Sequence, residues 1–163
     1  MRTLCALLLL PLLGCAAFTN PPVAGDPLIS ATYRPAWRGP AWDVSIDTVG
    51  NVRLETIDYP GGTKVVTLHV RKRLSPPEVA TLRQLMKEAV RPGVLPRYDV
   101  GISDEDQLTL IDSESGRQVA VTGPDAFCDQ DEVQRLLVLW KRIVRLVKPP
   151  DWRRPNAYCG GGG

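Results

Sequence analysis

Histidine is almost missing from this chain of 163 residues, and His69 is the only one. A Ser-His-Asp or Cys-His couple would have to be built on it. No glycine-rich elbow accompanies any serine, and His69 falls in an alternating stretch, on the face opposite Leu68 and Val70. A strand residue is the expected role. Charge of one sign is lacking too. Twenty Lys and Arg stand against 18 Asp and Glu, a net charge of +2, so no basic footprint points to nucleic acid. Long apolar runs are also absent. Leu4 to Leu13 is the longest, about half the roughly 20 residues that a membrane-crossing helix needs.

Cofactor and metal motifs are equally scarce. The acidic runs Asp104-Glu105-Asp106 and Asp129 to Glu132 lack the alternating carboxylates and central glycine of a calcium loop. Gly61-Gly62 reads as a hairpin turn, and Gly160 to Gly163 follow no strand, so neither is a phosphate loop. Zinc sites use three or four Cys, His or carboxylate ligands, and no such set is spaced for one here. The expectation is no catalytic residue, no cofactor, no metal and no enzymatic activity. Paired carboxylates for glycoside cleavage stay open, because their spacing is spatial rather than sequential.

What is present begins at the start. Met1-Arg2-Thr3 supplies one positive charge, an apolar stretch follows, and small residues close it, the pattern of a secretory signal peptide. Leu12-Leu13-Gly14-Cys15 at its end resembles a bacterial lipobox. That resemblance implies cleavage before Cys15, diacylglycerol on its thiol and acylation of the new amino end. Two acyl chains already make a firm anchor, at about 0.8 kcal/mol per buried methylene. Ala16, rather than Asp, follows Cys15. In a Gram-negative host the resemblance then implies the periplasmic face of the outer membrane. Residues 1–14 are the expected signal peptide, and Cys5 leaves with them.

Cys128 and Cys159 remain. A secreted chain meets an oxidising compartment, where a disulfide is the default. Two free thiols, or a thiolate site short of ligands, are the alternatives. A helix to Val147 of about 27 Å and a tail from Lys148 of about 34 Å match in length. The tail is expected to run back along the helix, laying Trp152 and Tyr158 on it.

Residues 15–41 read as the lipidated Cys15 and a proline-rich tether, with Pro21, Pro22, Pro27, Pro35 and Pro40 and no apolar period. Tyr33, Arg34, Trp37, Arg38 and Trp42 could serve as an aromatic-basic lipid contact or pack the linker onto the domain. The domain is expected over 42–159, with a glycine tail over 160–163. Trp42, Val44 and Ile46 alternate with polar residues, as do Val52, Leu54 and Thr56, and then Val66, Leu68 and Val70. With Gly50-Asn51 and Pro60-Gly61-Gly62 as turns, this is a three-stranded meander. Ser75-Pro76-Pro77-Glu78 is a capping box opening a helix whose stripe includes Val79, Leu82, Met86 and Val90. Residues 92–105 read as a loop. Leu108 and Leu110 pair with Val119 and Val121 across a turn at 113–116. Asp129 to Glu132 opens a last helix in capping-box form, with Lys141, Arg142, Arg145 and Lys148 towards its end, complementing the helix dipole.

The expected fold class is α+β: an antiparallel sheet, a three-stranded meander plus hairpin, packed with two helices in the order β-β-β-α-β-β-α. The expected function is a lipid-anchored, non-catalytic bacterial envelope lipoprotein that binds a partner protein or supports an envelope assembly. Its partners would be the membrane, through Cys15, and an envelope protein. Two alternatives are an inhibitor or ligand-binding lipoprotein acting on a cell-wall enzyme through residues 92–105, and a carboxylate-dependent hydrolase.

Overall fold

Trp140 of the second helix stacks on Trp42 of a strand, ring centroids 5.3 Å apart and planes 22° from parallel. Helix layer and sheet layer meet around this contact. The computed structural model describes residues 26–36, 39–101, 104–150 and 157–160. Its elements are β1 (Pro27–Arg34), β2 (Ala41–Asp47), β3 (Asn51–Asp58), β4 (Val65–Arg73), α1 (Pro76–Ala89), β5 (Arg97–Asp99), β6 (Gln107–Asp112), β7 (Arg117–Thr122) and α2 (Asp131–Val147). The strands form one sheet in the order β4-β3-β2-β1-β6-β7-β5. All neighbours are antiparallel except β5 and β7, which run parallel.

The α+β class agrees with the sequence, but the sheet is larger than a meander plus hairpin. Two strands were not expected. Pro27–Arg34 was assigned to the tether and is instead the central strand, pairing β2 on one side and β6 on the other. Its prolines do not forbid this. Pro27 is the first strand residue and Pro35 lies just past the end, the positions where a missing N–H breaks no ladder. Ile29, Ala31 and Tyr33 point into the core. The short β5 lies within the expected loop 92–105. The lipobox, Cys15, Trp37, Arg38 and Trp152 lie outside the described residues.

One face of the sheet is apolar because alternate residues point the same way. Trp42, Val44 and Ile46 of β2, Leu54 of β3, and Leu108 and Leu110 of β6 are almost wholly buried. They share one cluster with Leu82 and Met86 of α1 and Leu136, Trp140 and Val144 of α2. Each such side chain contributes about 1.5–3 kcal/mol when fully buried. Both helices therefore lie on this face. The two indole N–H groups are buried with no hydrogen-bond partner among the described residues.

Local chemistry fixes the ends. Ser75 caps α1: its N–H and hydroxyl both donate to Glu78 Oε2 at 2.8 Å. The expected capping box at α2 is absent. Gln130 is the N-cap there and makes no side-chain cap bond, so Asp131 and Glu132 act on that helix start through charge alone. The first hairpin turn is Thr48-Val49-Gly50 rather than Gly50-Asn51. Asp47 Oδ1 accepts the N–H of Val49 at 3.0 Å and of Asn51 at 2.8 Å, holding Asn51 in β3. Among the described residues no helix is long and apolar enough to cross a membrane.

Candidate functional site

Two places stand out: a stapled polar knot at one end of the core, and the outer edge of β4.

The knot centres on Asp106, a carboxylate only 4% exposed. Tyr33 Oη donates to Asp106 Oδ2 at 3.0 Å, Tyr158 Oη donates to the same oxygen, and the Ala36 N–H donates to Oδ1 at 2.8 Å. A buried carboxylate needs this density of donors, since an unpaired one would carry a heavy desolvation cost. Burial, and then the bond to Asp106, push the Tyr158 hydroxyl far above the usual phenol range. The segment carrying Tyr158 is tied down from three sides. Cys159 forms a disulfide with Cys128, Cα atoms 5.4 Å apart. The Cys159 N–H donates to Asp125 Oδ1 at 2.7 Å, and Lys141 Nζ donates to the Tyr158 carbonyl at 2.7 Å. Burial, and then the neighbouring Arg145, lower the Lys141 ammonium below its ordinary value.

A cleft of about 410 Å³ opens beside the knot, with Glu105, Asp106, Asp125 and Tyr158 in its wall. It gathers two carboxylates of the run Asp104-Glu105-Asp106 together with Asp125. Two of the three are occupied: Asp106 by the tyrosines, Asp125 by the Cys159 amide. The donor atoms of Asp125, Cys128 and Cys159 lie within 4.8 Å of one another, but both sulfurs are committed to the disulfide. His69 is not near this cleft's wall. It lies on β4, where its Nε2 is 3.2 Å from Thr56 Oγ1.

No protein-family model, curated protein or solved structure matches this chain.

The β4 edge is built differently. It is nine residues long and closes the sheet on one side, and among the described residues no strand pairs with its outer side. Val65, Val66 and Leu68 are 42%, 50% and 51% exposed. Register places Val66 beside Ile57 and Leu68 beside Glu55 on the sheet face that carries no helix, while Val65 sits opposite Asp58 on the helix side. Among the described residues nothing covers the first half of β4 at its edge or on either face. Tyr59, at the neighbouring turn, is 62% exposed.

The opposite edge is protected. The strand β5 is three residues long, and Arg97 pairs with Asp99 on it. The Gly101 N–H, and then the Arg97 guanidinium, hold the Asp99 carboxyl below the usual carboxylate range. Short, charged edges resist pairing with another chain, and long apolar ones invite it. Sequence reasoning found the alternation of β4 but not that β4 is an edge. No local signal carries that, because edge position depends on where β1 and β6 insert.

Proposed function

We propose that this chain is a lipid-anchored, non-catalytic bacterial envelope lipoprotein whose folded domain binds a partner protein through the outer edge of β4. The observation that carries the reading is the open, apolar first half of β4, with Val65, Val66 and Leu68 exposed in a row. An unpaired edge offers a ladder of N–H and C=O groups together with side-chain contacts on two faces. The anchor rests on the resemblance of Leu12 to Cys15 to a lipobox.

The test is affinity purification from cross-linked membranes with the full chain and with Val66→Asn/Leu68→Asn. Both side chains are exposed, so the fold tolerates the change. The expected result is one reproducible partner protein lost in the double variant. Equal recovery from both would refute the edge as the binding surface.

A second reading, a carboxylate-dependent hydrolase, rests on the cleft that gathers Glu105, Asp106 and Asp125. It requires Glu105→Gln to abolish a cell-wall hydrolysis that the unaltered chain performs. The inhibitor reading through residues 92–105 is weakened by β5, which ties the middle of that segment into the sheet beside β7.

A further inference from the structure

The sequence of β4 carries a charge pattern beside the exposed apolar half of the strand, and the two together select an occupant. From Lys64 to Arg73 there are four basic residues, Lys64, Arg71, Lys72 and Arg73, and no acidic one. Between the basic ends runs Val65-Val66-Thr67-Leu68-His69-Val70, three of whose six residues are β-branched valines. Arg73 is held at the strand end, its Nε donating to the Val49 carbonyl at 2.9 Å.

A second copy fits poorly. Two copies paired antiparallel about the middle of this stretch would set Lys64 directly opposite Arg73, and like charges directly opposite are destabilising. They would also double the positive charge along one ribbon, with no acid in either copy of the strand itself. An extended segment with an apolar centre and acidic ends meets both demands. The edge amides supply affinity, and alternate side chains and end charges supply specificity.

Resting on the reading that this edge binds a partner protein, we propose that the occupant is an extended segment of another protein that adds antiparallel to β4. Its acidic residues lie opposite Arg71 to Arg73, and its β-branched centre lies along Val66 and Leu68. Antiparallel addition continues the pairing that β4 already has with β3.

The test uses the full chain in detergent micelles and two labelled peptides. One is Asp-Glu-Asp-Val-Thr-Val-Thr-Val-Glu, and the other has Lys at every acidic position. Fluorescence anisotropy should show the acidic peptide bound at least about tenfold tighter than the basic one, with the difference shrinking as salt shortens the Debye length. Arg71→Glu/Lys72→Glu, which leaves Lys64 and Arg73 against two acidic residues, should abolish the preference. Amide hydrogen exchange should slow over residues 65–73 when the acidic peptide is added. Equal binding of both peptides, or protection elsewhere than β4, overturns the proposal. So does a dimer in sedimentation velocity that Val66→Asn/Leu68→Asn disperses, which would make a second copy the occupant. Binding to phosphatidylglycerol vesicles that the same variant abolishes would assign the edge to lipid instead. If the acidic peptide fails while the variant still loses its cross-linked partner, this inference falls and the partner-binding reading stands. If the variant keeps that partner, the partner-binding reading itself falls.

Discussion

Tyr158 and Asp106, 52 residues apart in the chain, meet in the interior, where the phenol hydroxyl donates to the carboxylate. Tyr33 reaches the same oxygen from the central strand. One buried charge thus ties the end of the chain, the loop before β6 and β1 into a single unit.

Removing one donor should be felt. Tyr158→Phe is expected to lower stability by about 1.5–3 kcal/mol, the range for a hydrogen bond to a charged group, read as a shift of the urea midpoint. The pH dependence should change with it. The folded state holds the Tyr158 proton far above the ordinary phenol value, so above about pH 10 the unfolded chain loses this proton first. Unfolded chains then bind fewer protons than folded ones, and stability falls by about 1.4 kcal/mol per pH unit from this group. Tyr158→Phe should remove that slope while leaving the contribution of Lys141. Equal slopes in both proteins would contradict the account.

The disulfide acts on the same segment. Cys128 and Cys159 are separated by 31 residues, and cross-linking a loop of that length stabilises by roughly 3–4 kcal/mol in the chain-entropy model. Cys128→Ser/Cys159→Ser should lose about that much. A reductant should reproduce the loss in the unaltered chain and have no effect on the double variant.

Gly50 should be intolerant of a side chain. Its φ is +90°, and a Cβ there would lie 2.5 Å from the Leu74 carbonyl oxygen, which is backbone and cannot give way easily. Gly116 has φ +69° but open space around it. Gly50→Ala is expected to cost more than the roughly 1–3 kcal/mol of left-handed strain alone, and Gly116→Ala no more than that strain. Thermal denaturation of the pair checks the order.

Cys15→Ala should prevent lipid labelling and move the chain from the membrane to the soluble fraction. Acyl chains on Cys15 would do the anchoring. Unchanged labelling and retention in the variant would refute the anchor.

Where the sequence carried a periodic signal, the structure followed it. The alternation from Trp42 to Ile46, the Ser75–Glu78 box and the stripe from Val79 to Val90 all describe contacts within one element. The central strand is not legible in the sequence because its core face is Ile29, Ala31 and Tyr33, a weak apolar signal set between prolines. The strand β5 is three residues long and parallel, stabilised by its pairing with β7 rather than by its own pattern. The Tyr158–Asp106 bond and the exposure of the β4 edge arise only after distant segments assemble. Asp106 belongs to the acidic run Asp104-Glu105-Asp106, yet it is the buried member of that run.

The most direct measurement compares amide hydrogen exchange over β4 in native envelope membranes with that in the purified chain. A covered edge protects its amides, as local opening of a paired ladder costs more than opening of a free one. The expected result is slower exchange over residues 65–70 in the membranes, with β5 unchanged. Equal exchange over residues 65–70 in both settings would contradict the claim that this edge is where the protein binds its partner.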